Sequence, residues 1–265
     1  DGYWYAYGTT TVMRKDNPES GHRANYFMPI SRSKDLIHWE YVGEVFGYDN
    51  HPEWTRFDGG TYFWAPDIRY IDGQYYLYYS VVNYSFVGFD RYQIGLATAP
   101  TPAGPWTDIG KPIVESSAGT LTIDPAHFID SDGTRYLYYG SFNDNGILVT
   151  ELSADGTETV GQPKQVVKGH TGEAPYVVKR GDYYYLFYSD KGCCSNTLSS
   201  YTVYVGRSES PLGPFVDRDG AGLTDPQVGG TIVNAPNGNK WIGTGHNAIF
   251  TDLSGQDWVV FNGIN

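Results

Sequence analysis

A chain of 265 residues can form one large all-β domain with a sizeable core, or two small domains. Its 18 Lys and Arg against 30 Asp and Glu give a net charge of −12, which argues against nucleic acid as a partner and suits a neutral substrate. The 24 Tyr, 12 Phe, 7 Trp, 33 Gly and 15 Pro favour strands and turns, and no apolar run reaches the ~18–20 residues of a membrane-spanning helix.

The chain opens on a tyrosine-rich strand, DGYWYAYGTT at 1–10. Similar stretches recur as DGQYYLYYS at 72–80, DGTRYLYYGS at 132–141, GDYYYLFYS at 181–189 and, more faintly, GNKWIGTGH at 238–246. With Tyr5, Tyr76, Tyr136, Tyr185 and Trp241 taken as equivalent, the spacings are 71, 60, 49 and 56 residues. Those intervals are too long for a hairpin and suit a four-stranded sheet with its loops. A second alternating strand ending in a polar turn follows each of the first four. These run MPISRSKDLIHWE at 28–40, IGLATAPTPAGPWTD at 94–108, ILVTELSADGTE at 147–158 and VYVGRSESPLGPFVD at 203–217. Five four-stranded units with Gly- and Asp-rich hairpins predict a five-bladed β-propeller in a single domain, 1–265. A β-sandwich would lack this higher-order repeat. The abundant tyrosines fit stacking on sugar faces, and structural packing uses the same residues.

The two cysteines, Cys193 and Cys194, are adjacent. They cannot staple distant segments, and either two free thiols or a vicinal disulfide is compatible with the sequence.

Acidic residues precede three of the tyrosine strands: Asp67 in FWAPDIRY, Asp124 in LTIDPAHFID and Glu173 in HTGEAPYVV. Asp67 stands nine positions before its tyrosine, and Asp124 and Glu173 stand twelve before theirs. Each is next to a proline or one residue from it, which fixes an extended approach. The innermost strand of a propeller blade lines the central channel. Carboxyls converging there repel one another, and their pKa values separate, as an acid and a base require. The competing reading is that they cap hairpins or bind backbone N–H groups.

Taken as an ordered set, FWAPDIRYIDGQYYLYYS, IGLATAPTPAGPW, TIDPAHFIDSDGTRYLYYGSF, GEAPYVVKRGDYYYLFYS, CCSNTLSSYTVYVGRS and GTGHNAIFTDLSGQDW resemble glycoside hydrolase family 43 over nearly the whole chain. That family comprises five-bladed propeller arabinanases, arabinofuranosidases and xylosidases. The resemblance implies that Glu173 is the general acid and that Asp124 tunes and orients it. It implies that Trp64 lines the sugar pocket and that Arg207 reaches a sugar hydroxyl or carboxylate; an outward salt bridge is the other reading of Arg207. It places His246 beside a calcium or similar ion in the central channel, where a histidine after a Gly-rich turn could equally be hydrogen-bonded. No cofactor is implied for the chemistry itself. The family's general base, an Asp of an Asp-Pro motif, is expected upstream of residue 1, so the chain reads as trimmed there, and also at its end. Phe261 and Asn262 stand where a Tyr-His pair is expected.

The expected reaction is inverting hydrolysis of α-L-arabinofuranosyl linkages in arabinan or arabino-oligosaccharides, by a secreted monomer acting on a neutral plant polysaccharide. The alternatives are a β-xylosidase or xylan-debranching arabinofuranosidase, and a non-catalytic carbohydrate-binding propeller. Exo or endo action depends on loops such as 46–60 and 83–92.

Overall fold

Asp72 and Gly73 both adopt left-handed backbone angles (φ 50° and 87°), which closes a two-residue hairpin whose twist matches the strands it joins. Comparable turns recur along the chain, and the period-two runs between them form antiparallel sheets. The computed structural model describes residues 1–16, 23–47, 49–55, 61–83, 91–116, 120–238 and 240–264. Among these the strands form four sheets, two in each of two compact units, 1–118 and 119–265.

In the first unit, β1 (Trp4–Tyr7), β2 (Thr11–Asp16), β3 (Arg23–Ser33) and β4 (Glu40–Phe46) form a sheet in which β3 pairs with the other three. Its second sheet runs β5 (Thr61–Ile71), β6 (Gln74–Asn83), β7 (Arg91–Ala99) and β8 (Thr107–Asp108), with β9 (Val114–Glu115) also on β7. In the second unit, β10 (Ala126–Ile129), β11 (Arg135–Gly140), β12 (Ile147–Leu152) and β13 (Thr159–Val167) pair in chain order. The last sheet holds β14 (Glu173–Arg180), β15 (Tyr183–Asp190), β16 (Thr202–Ser208), β17 (Thr231–Asn234), β18 (Ile242–Thr251) and β19 (Asp257–Ile264).

The fold is thus all-β, of propeller type. The sequence repeats predict five separate sheets, whereas the described residues form four. The reason is local: the β18–β19 hairpin joins its neighbour through one parallel pair, Thr202 with Thr244, so six strands share a sheet. The fifth repeat also needs correcting. Trp241 lies outside any strand, and GNKWIGTGH leads into β18, which occupies the place of β14 rather than β15. The partner strand in the fifth unit is β19, containing WVVFNG.

Each unit has its own apolar core. Phe46, Phe63, Leu77 and Tyr79 are fully buried in the first, and Tyr138, Ile147, Leu186, Phe215 and Leu223 in the second. Buried tyrosines lose water from their hydroxyls and recover it as hydrogen bonds to carbonyls: Tyr7 to Pro102 (2.6 Å), Tyr188 to Gly229 (2.9 Å) and Tyr176 to Ile249 (2.9 Å). Much of the tyrosine enrichment is therefore structural.

In the first unit Asp108 accepts from Trp54 Nε1 (2.8 Å) and from the hydroxyl of fully buried Tyr79. Gly95 lets these rings approach, since a Cβ there would lie 2.5 Å from Tyr79 Cζ. Asp108→Ala strands both donors and should lower the unfolding free energy by about 2–3 kcal/mol, measured by urea denaturation.

Candidate active site

The strand β14 begins with a bulge. Glu173 opposes Ser189 and Tyr176 opposes Phe187, so Ala174 and Pro175 together face the single residue Tyr188. Ala174 is left-handed (φ 52°), and Pro175 needs no ladder partner for its nitrogen. The same device recurs three times. In β5, Trp64 opposes Ser80 and Asp67 opposes Tyr78, with Ala65 at φ 47°. Ahead of β10, Ile123 O accepts from Gly140 N (2.9 Å) and Ala126 opposes Tyr138, with Asp124 at φ 57°. In β18, Gly245 opposes Asn262 and Ala248 opposes Val260, with His246 at φ 51°.

This register revises the phase read from the sequence. Glu173 is equivalent to Trp64, Ile123 and Gly245, whereas Asp124 is equivalent to Ala65, Ala174 and His246. The equal twelve-residue spacing hides a one-residue offset. The β14–β15 turn is two residues long, and the β10–β11 turn spans Asp130 to Thr134. Asp67 lies three positions beyond the Glu173 phase and pairs with Arg69 Nη2 at 3.3 Å, so it is not equivalent to either carboxylate.

At three of these bulges the left-handed turn aims a backbone N–H sideways, and a side chain from an earlier strand or loop of the same unit catches it. Thr9 Oγ1 accepts from Ala65 N (3.1 Å), Asp124 Oδ2 from Ala174 N (3.1 Å) and Ser189 Oγ from His246 N (2.8 Å). Asp124 therefore does bind a backbone N–H, that of the residue after Glu173. The Glu173 carboxyl accepts on both oxygens, from Tyr201 Oη at Oε1 (2.8 Å) and from Ser141 Oγ at Oε2 (2.7 Å). Ser141, Ser189 and Tyr201 are all buried.

Burial raises the Asp124 carboxyl to about 7, opposed by the Ala174 N–H. Burial also raises Glu173, and the charge of Asp124 pushes it further, against the pull of its two hydroxyl donors and of His246. Burial lowers the His246 imidazole, which favours its neutral form. Burial thus raises both carboxyls, and the Asp124 charge raises Glu173 further, which favours the protonated form of the acid. A retained proton is what general-acid chemistry needs.

The structure brings Glu173, Asp124 and His246 together, and adds Ser141, Ser189 and Tyr201, which no sequence motif singles out. Arg207 is elsewhere. It sits four residues along β16 from Val203, which faces Ser189, roughly 13 Å away along the strand, and its guanidinium stacks on Tyr183 at 4.4 Å. It is neither at the carboxyl pair nor in an outward salt bridge there. Trp64 is half-buried on β5 of the first unit. The cysteines form a vicinal disulfide in the loop between β15 and β16. For the expected ion, no group of three His, Cys, Asp or Glu converges among the described residues, and calcium prefers oxygen donors to a single imidazole. His246 alone does not make a metal cage.

A propeller-type fold carrying a buried, hydrogen-bonded carboxyl pair defines a glycoside-cleaving class of protein. The profile of glycosyl hydrolases family 43 matches residues 1–265, and the chain belongs to that family. It is 34% identical over 261 residues to an extracellular exo-α-(1→5)-L-arabinofuranosidase of Cellvibrio japonicus, covering 88% of this chain and 72% of that one. It is 38% identical over 248 residues to an arabinan endo-1,5-α-L-arabinosidase of Aspergillus niger, with the same coverages. Among solved structures, an exo-1,5-α-L-arabinanase from a bovine ruminal metagenomic library superposes with a TM-score of 0.81 at 29% identity, covering 99% of this chain and 84% of that one. The Cellvibrio cellulosa α-L-arabinanase complexed with arabinohexaose gives 0.80 at 29%, with the same coverages.

Asp124→Asn keeps an acceptor for Ala174 N and tolerates the left-handed backbone, but removes the charge that pushes Glu173 up. The alkaline limb of the kcat/KM profile should therefore move to lower pH. Because the folded pKa of Asp124 is raised, its stability contribution is present below pH ~4 and lost as pH rises through about 7. The variant should lack that loss, which unfolding measured across this range would reveal.

Proposed function

We propose that this protein hydrolyses α-L-arabinofuranosyl linkages in α-1,5-linked arabinan or its oligosaccharides, with inversion, using Glu173 as general acid. The observation that carries this reading is the Glu173–Asp124 pair, buried, raised in pKa and held by defined donors within one unit. The family relatives, named as exo- and endo-acting enzymes of 1,5-arabinan, support the substrate class.

In the reaction the Glu173 proton passes to the glycosidic oxygen as the bond from that oxygen to the anomeric carbon breaks. A water attacks from the opposite face, and a second carboxylate about 6.5–9.5 Å from the acid takes its proton. Asp124 holds the Ala174 N–H, and so the strand start that bears the acid, while its charge keeps Glu173 protonated. Trp64 offers a ring face for stacking on a furanose, as part of the same proposal.

The β18–β19 hairpin is proposed as a fifth blade. Its bulge repeats that of β14, and its one backbone link to β16 is parallel where the other strand pairings are antiparallel. Secretion is supported by the relatives named extracellular, and by a disulfide, which persists in oxidising surroundings. A monomeric state and an ion near His246 rest on the sequence reading, and sedimentation and elemental analysis of the purified protein test them. Exo and endo relatives occur side by side, and the loop segments 56–60 and 84–90 lie outside the described residues.

Glu173→Ala should lower turnover of arabino-oligosaccharides by about 10²–10⁴-fold while leaving binding intact. Product analysis by chromatography, with arabinan and xylan run in parallel, checks both parts. Wild-type turnover by the variant would end the assignment, and bound but intact arabinan with the unaltered protein would favour a binding module.

A further inference from the structure

The hydrogen bonds around Glu173 have a direction. Ser189 Oγ accepts the His246 backbone N–H at 2.8 Å, and that proton cannot move elsewhere. That bond ties β18 to the strand opposite Glu173, and beside it the Tyr201 phenol gives its proton to Glu173 Oε1 at 2.8 Å. Its ring is fixed as well. Gly245 of β18 packs so closely that a Cβ there would lie 2.1 Å from Tyr201 Cδ1. Tyr201 is 4% exposed and Ser189 fully buried, so water does not compete for these positions.

The Ser141 hydroxyl donates to the other oxygen, Oε2, at 2.7 Å.

We propose that Tyr201 is the positioning residue of the general acid. This rests on the assignment of Glu173 as the acid and specifies how that acid is aimed. Tyr201 holds Glu173 Oε1 from a ring wedged against β18, and so fixes the direction in which the carboxyl meets the glycosidic oxygen. The titratable groups that face Glu173 are Asp124, which raises it, and Tyr201 and His246, which lower it.

The test uses the full-length protein and two substrates. An arabino-oligosaccharide needs protonation of its leaving oxygen, whereas a 4-nitrophenyl arabino-oligoside loses a phenolate that needs little help. Tyr201→Phe keeps the ring against Gly245 and deletes only the donor. It should lose about 10- to 100-fold in kcat on the oligosaccharide, the scale of one hydrogen bond to a charged group, and stay within a few-fold of wild type on the aryl substrate. Its alkaline limb should move to higher pH, because a donor that favours ionised Glu173 is gone. Equal losses on both substrates, or no loss, would overturn the proposal and leave Tyr201 a packing residue. Glu173→Ala run in parallel keeps the two assignments apart: without the same selectivity in that variant, it is the acid assignment that fails. Should Tyr201→Phe not fold, Ser189→Ala, which frees the β18 backbone at His246 beside the glycine behind the Tyr201 ring, should show the same selectivity more weakly, and its absence counts against the proposal.

Discussion

The bond between Ala174 N–H and Asp124 Oδ2 is the contact on which the rest of the site depends. A left-handed residue at a bulge exposes a backbone donor that no ladder partner can take, and a buried donor left unmet costs as much as a lost hydrogen bond. Asp124 meets it from the segment leading into another sheet. One interaction therefore settles the start of β14, the exit direction of Glu173 and the distance between two carboxyls. The charge placed there for a structural reason is also the charge that holds a proton on its neighbour.

The same arrangement appears at Ala65 and His246 with Thr9 and Ser189 as acceptors. Uncharged acceptors suffice for the backbone. Only at Ala174 is the acceptor an acid, and only there does the preceding residue carry a carboxyl. Chemistry is therefore added to a repeated structural device by changing two side chains of that device, Asp124 and Glu173. The conformations around them, Asp-Pro and Ala-Pro, are the ones every such bulge uses.

Much of this was legible in the sequence. Tyrosine-rich runs opening on Asp-Gly or Gly-Asp turns marked the hairpins, and proline beside an acid marked the strand starts. The one-residue offset between Asp124 and Glu173 was not legible, because spacing along the chain adds the turn length to the strand length, and the turns differ. GNKWIGTGH was misplaced for a related reason: an aromatic near glycines imitates the tyrosine strand, whereas Gly-His-Asn matches Glu-Ala-Pro. Arg207 followed from position in a motif, and the packing of its guanidinium over Tyr183 was not legible there. Ser141, Ser189 and Tyr201 carry no local pattern, since sheet register alone brings them to Glu173. The Gly245–Tyr201 contact would have been the one hint, in a glycine at a bulge where its equivalents are larger.

The last hairpin has a backbone link to its neighbour at a single residue pair. Side-chain ties supply the rest, among them Tyr176 to Ile249 and Arg180 to Asp257. Segments fastened in this way open at lower free energy than those laced into a full ladder. If this hairpin swings out on warming, Tyr201 loses the glycine behind its ring and Ser189 loses its backbone donor, while the sheets themselves stay folded. The temperature at which catalysis fails is then governed by the seam around β18 and not by the melting of either core.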